Sequence, residues 1–97
     1  MPTYIVLASF TEQGIRNVKD SPKRADAFKE MAKQSGATVK ELFWTLGQYD
    51  IVTILEAPDD ETMTAIGLSA GKLGNVRTQT LRAFSPADMK GILGKVT

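Results

Sequence analysis

The chain contains no cysteine and no histidine, and these absences remove more chemistry than any residue present supplies. Without thiols there is no disulfide framework, no thiolate nucleophile and no cysteine-ligated metal. Without imidazole, zinc hydrolase sites and serine-histidine relays lose their central group. A haem would have to hang on methionine or tyrosine, both unusual axial ligands. Proton transfer falls to carboxylates, lysines and the two tyrosines. No metal and no cofactor is expected.

Charge of one sign is also missing. Twelve basic residues stand against eleven acidic ones for a net +1, spread almost evenly over the two halves, so no basic field argues for nucleic acid. No segment reaches the ~18 consecutive apolar residues of a membrane span. Met1-Pro2-Thr3 leads straight into a strand pattern, without the basic segment and apolar run of a leader. Together with the lack of cysteine this predicts a cytoplasmic protein with neither a nucleic-acid nor a membrane partner. At 97 residues the chain is one domain, 1–97. Such a domain buries only roughly 60 to 65% of the surface its unfolded chain exposes, so a second copy covering one of its faces would stabilise it.

What is present reads as alternating strands and helices. Tyr4 to Phe10 is short, β-rich and apolar at both parities, which fits a central strand covered on both faces. A helical turn around Ile15 and Val18 follows. Ser21-Pro22 then reads as a helix start, with serine as cap and proline at the first position. Ala25, Phe28, Met31, Ala32 and Ser35 recur at helical spacing until Gly36 ends the run. Val39 to Leu46 and Ile51 to Glu56 predict two more strands. Pro58-Asp59-Asp60-Glu61 opens a helix with acids at the positive end of its dipole, with Met63, Ile66, Ala70 and Leu73 as the buried stripe. Gly67 and Gly71 offer that helix a flat strip for close packing. Val76 to Phe84 is a fourth strand. Ser85-Pro86-Ala87-Asp88 starts a terminal helix with one apolar edge of Met89, Ile92, Leu93 and Val96.

The order β-α-β-β-α-β plus a helix predicts an α+β, ferredoxin-like fold: helices over one face of a four-stranded antiparallel sheet. Strands one and three are apolar at both parities, so a solvated second face would expose more apolar surface than monomers usually tolerate. Two sheets packed face to face, as in a dimeric α/β barrel, answer this, with room for a small ligand between them. The chain's expected partners are therefore another copy of itself, as a homodimer or larger assembly, and an unidentified small molecule.

Asp50 opens the third strand, and the loop before it decides which side chains share its face. With a two-residue turn at Gly47-Gln48, Trp44 opposes Ile51 and Phe43 opposes Val52. Leu42, Trp44, Leu46, Tyr49, Ile51 and Leu55 then line the helix-packed side, and Glu41, Phe43, Thr45, Asp50, Val52 and Ile54 the other. A loop one residue longer brings Trp44 onto the face of Asp50. Asp50 is either a turn residue accepting backbone N–H groups or a contact for a ligand or proton. The ligand-binding candidates are Asp50, Phe43, Thr45, Trp44, Tyr4 and Arg77, with Phe43, Trp44 and Tyr4 forming an aromatic slot. Arg77 and Arg82 lie five apart on one strand, so at most one points inward. A weaker anion site gathers Arg16, Ser21, Lys23 and Arg24 at the Ser21-Pro22 helix start.

Three segments carry a resemblance: Gly47-Gln48-Tyr49-Asp50, Gly14-Ile15-Arg16-Asn17-Val18-Lys19-Asp20-Ser21-Pro22, and Gly74-Asn75-Val76-Arg77-Thr78-Gln79-Thr80-Leu81-Arg82-Ala83-Phe84. Together they resemble the GYD domain family across nearly the whole chain. The match departs at the name-giving motif, where Gln48 separates glycine from tyrosine. The resemblance implies a dimeric α/β barrel and supplies no chemistry. More distantly, Gly47 to Leu55 and Gly74 to Thr80 are similar to the effector-binding domain of leucine-responsive-type regulators, whose hairpin borders an interface ligand site. A homodimer binding a small molecule without turnover is the leading expectation. The alternatives are a cofactor-independent monooxygenase or isomerase with Asp50 as base, and a structural oligomerisation module.

Overall fold

The computed structural model describes all residues, Met1–Thr97. Its order is β1 (Thr3–Phe10), α1 (Glu12–Arg16), a 3₁₀ turn (Val18–Asp20), α2 (Ser21–Gln34), β2 (Thr38–Trp44), β3 (Ile51–Glu56), α3 (Asp60–Gly71), β4 (Val76–Ala83) and α4 (Pro86–Leu93). The four strands form one antiparallel sheet in the order β2-β3-β1-β4. This is the ferredoxin-like arrangement, with the two apolar strands β1 and β3 in the centre.

Pairing fixes the faces. Trp44 opposes Ile51 and Phe43 opposes Val52, the register of the shorter loop, although the connection is an irregular Thr45–Asp50 loop rather than a two-residue turn. Gly47 supplies the positive φ (+109°) that this loop requires. The loop closes through the Thr45 N–H to the Asp50 carbonyl (2.9 Å) and the Thr45 hydroxyl to the Tyr49 carbonyl (2.6 Å). A bulge between Val39 and Glu41 offsets the start of β2.

Beneath the helices lie Tyr4, Val6, Ala8, Thr53 and Leu55, all buried. Of these, Tyr4, Val6 and Leu55 pack with Ala32 of α2 and with Met63 and Ile66 of α3, with Phe28, Met31 and Val39 at the margin. Helix starts follow local chemistry. Asp59 accepts the Thr62 N–H (2.8 Å) as cap of α3, and Ser85 and Asp88 form a reciprocal capping box on α4. Gly36 and Gly74 take positive φ after α2 and α3.

Several expectations need correcting. Ser21 is the first residue of α2 rather than its cap, because its hydroxyl accepts the Trp44 indole N–H (2.9 Å). Leu73 falls beyond α3 and is exposed. Gly67 and Gly71 meet nothing within 4 Å, so they are not a packing strip within this subunit. The apolar edge of α4 rests on almost nothing: Met89, Leu93 and Val96 are exposed, and the helix has no substantial contact with any other element. That arm helps explain a radius of gyration of 14.5 Å, above the ~12.5 Å of a compact chain of this length.

Candidate functional site

Three loops converge where β1 ends, and they contain the residues singled out above. Asp50 accepts the Phe10 N–H on its carboxylate (2.8 Å), while its own N–H donates to the Ala8 carbonyl (2.8 Å). Next along the chain, the Thr11 N–H donates to the Asn75 carbonyl (3.0 Å) and the Thr11 hydroxyl to the Gly74 carbonyl (2.5 Å). Gln13 reaches over to the Leu73 carbonyl and the Asn75 side chain. Gly14 lies so close that a Cβ there would sit 2.0 Å from the Asn75 carbonyl oxygen. Only glycine permits that contact. The family-like segments are thus one hydrogen-bonded clamp on the end of β1, with Asp50 as a backbone acceptor within it.

A second polar cluster lies at the other end of β1. The Tyr4 hydroxyl donates to Asp60 (2.5 Å), and Arg82, opposite Tyr4 on β4, lies 5.6 Å from its ring centre and 4.6 Å from that of Phe84. Burial of the ring, then the hydrogen bond to Asp60 and its negative charge, push the phenol up to about 12, with Arg82 opposing. The Thr62 backbone N–H, followed by its hydroxyl, holds the Asp59 carboxyl below its usual range.

The uncovered sheet face presents Ile5, Leu7, Val52 and Ile54, half-buried, with Phe43 and Leu81 exposed beside them. Arg77 and Gln79 share the parity of Leu81 on β4. The Tyr49 hydroxyl donates to Gln79 (2.9 Å), which puts Tyr49 on this side and not on the helix side as expected. Strand alternation stops before Asp50, so parity does not carry back to it.

The structure therefore separates the expected ligand set. Phe43 and Arg77 belong to the open side, with Arg77 opposite Ser9, whereas Asp50 is tied to the end of β1 through Phe10 and Ala8. Thr45 is spent closing its loop. Tyr4 lies under the helices beside α3 and Trp44 bonds to α2, so no slot of Phe43, Trp44 and Tyr4 exists. The expected anion site also comes apart: Arg16 pairs with Glu12 (2.5 Å), Lys23 points to solvent, and only Ser21 and Arg24 face a common space. That space, between α2 and α3, had no sequence signal, because a gap depends on how far apart two helices sit.

No helix is long and apolar enough to cross a membrane. The profile of the GYD domain matches residues 4–93. A Thermus thermophilus protein named "Glutamine synthetase and cystathionine beta-lyase binding protein" is 34% identical over 90 residues, covering 92% of this chain and 95% of that protein. A crystal structure of a protein from Thermus thermophilus superposes with a TM-score of 0.57 at 26% identity, covering 88% of this chain and 95% of the other. With its clamp, sheet order and near end-to-end match, the chain belongs to the GYD domain family.

Proposed function

We propose that this chain is a non-catalytic, cytoplasmic homodimer that binds metabolic enzymes of the kind named for its Thermus relative. The observation that carries this is the match itself. A relative 34% identical, aligned over 92% of this chain and 95% of its own length, shares the whole domain, so what its name records as binding belongs to the same small scaffold. The polar groups sit well with a binding role. Asp50 holds the end of β1, Tyr4 and Asp60 hold each other, and Arg16 is paired with Glu12.

In this reading the open sheet face meets a second copy. Its central rows are Phe43-Val52-Leu7 and Ile54-Ile5-Leu81, apolar enough to need covering and better suited to a dry contact than to a polar ligand. The α4 arm, an eight-residue helix too short to be stable alone, reaches across to the other subunit. The remaining outer surfaces of the dimer take the enzyme.

Light scattering and biolayer interferometry with purified glutamine synthetase and cystathionine beta-lyase test this together. The wild-type chain is expected to be a dimer and to bind at least one of them saturably. Leu7→Arg places a charge in the middle of the face, and weakens dimerisation by roughly 100-fold while leaving the subunit folded. A dimer that ignores both enzymes would overturn the enzyme-binding reading; a monomeric wild type would overturn the assembly.

A further inference from the structure

The helix side of the sheet is not filled. α2 and α3 barely touch, and between them a cleft of about 620 Å³ descends to Ala8, Ile51 and Thr53, walled by Phe28, Met31 and Leu73. That volume is within the ~300–1,000 Å³ of small-molecule pockets, which are mostly apolar with a few convergent polar groups. Such groups are here.

Arg24 and Lys72 are the charged residues of the lining, and no carboxylate is among it. The Arg24 terminal nitrogens donate to the carbonyls of Asn17 (2.9 Å) and Gly14 (3.3 Å), which fixes the guanidinium without neutralising it. Neither salt bridge in the molecule involves it. Ser21, 3% exposed, accepts the Trp44 indole N–H (2.9 Å), leaving its own hydroxyl proton free to be donated. Thr53 is 5% exposed, and its hydroxyl has no protein partner. Since every fully enclosed side-chain polar atom does have one, the Thr53 oxygen is reached from the cleft. Ser21 also opens α2, so the positive end of that helix is at the same lip.

We propose that this cleft binds an amphiphilic monocarboxylate, its apolar body between α2 and α3 and its carboxylate against Arg24 and Ser21. An acid is selected over a neutral or cationic molecule because the lining carries only positive charge, and a held guanidinium bonds an anion more strongly than a neutral oxygen. The site lies within one subunit, on the side of the sheet opposite the proposed dimer face. It is independent of whether the chain docks on an enzyme.

Trp44 is the single tryptophan, and its bond to Ser21 makes it a reporter for the cleft. The full-length protein is titrated with octanoate and with 1-octanol, following Trp44 fluorescence and thermal midpoint. The expected result is a saturable response and a raised midpoint, with octanoate binding about tenfold tighter than the alcohol. Arg24→Gln should bring octanoate down to the level of octanol, Arg24→Lys should restore part of the difference, and Ala70→Phe should exclude both by filling the cleft. No saturable response in the wild type, equal binding of acid and alcohol, or undiminished binding to Ala70→Phe would each overturn the proposal. Circular dichroism checks folding; if Arg24→Gln loses helix, the Arg24→Lys and Ala70→Phe titrations decide.

Discussion

The two faces of the sheet are built from similar residues and meet opposite fates. Leu55 and Ile54 are chain neighbours in β3; Leu55 is fully buried under α2 and α3, whereas Ile54 lies half-buried on the face without helices. The same holds in β1 for Val6 and Leu7. What separates the faces is their cover. One is closed within the chain by two helices, incompletely, so that a cleft remains; the other is flat, apolar and continuous, a shape that suits another sheet.

Alanine at these neighbours tests the contrast most forcefully. Leu55→Ala removes a side chain from the centre of the core and should cost about 2–5 kcal/mol at any protein concentration. Ile54→Ala should cost much less in dilute solution; with the proposed second copy covering this face, its effect should grow with concentration, because mass action couples stability to assembly. Urea unfolding across a concentration series separates the two. Equal, concentration-independent losses would mean that both faces are closed within one subunit.

The cover of the helix side is anchored by the clamp at the end of β1, and Gly14→Ala attacks it next in size. The new Cβ would meet the Asn75 carbonyl at 2.0 Å, and that neighbour is backbone rather than a yielding side chain. Opening the contact should cost about 1–3 kcal/mol and release the Thr11 N–H, now bonded to Asn75 at 3.0 Å, to fast amide exchange. An unchanged exchange rate at Thr11 would show the clamp to be dispensable.

Much of the architecture was legible because it rests on local pattern. β1 and β3 follow from short β-rich apolar runs and the start of α4 from Ser85, Pro86 and Asp88, while Trp44 does pair with Ile51 as a two-residue turn predicts, although the loop between them is longer. The site was less so. Asp50 stood out in the sequence, yet its partner is an N–H forty residues away on another strand, a pairing no local rule contains. Ser21 looked like a helix cap because serine before proline usually is one; the competing demand of the Trp44 indole became visible only once β2 lay beside α2. Tyr49 carried a false parity across a loop that is not strand. The cleft was invisible, being a distance between helices rather than a property of any residue.

The smallest predicted effect lies on the helix side, where one polar bond crosses from β1 to α3. Tyr4→Phe removes the hydroxyl that donates to Asp60 but keeps the buried ring. Asp60 is exposed and regains water, so the cost at neutral pH should be about 1 kcal/mol. The pH dependence makes the test specific. The folded phenol is pushed up to about 12 from an ordinary 10.0, so the folded state holds the proton more tightly than the unfolded one. Its contribution is fully present below pH 10 and is lost as pH rises from 10 towards 12. The wild type should therefore lose more stability than Tyr4→Phe over that window, and the gap seen at pH 7 should close. Urea unfolding of both proteins at pH 7, 9, 10 and 11 reads this directly. A gap that stays constant up to pH 11 would mean that the folded phenol holds its proton no more tightly than the unfolded one, so that neither burial nor Asp60 raises its pKa.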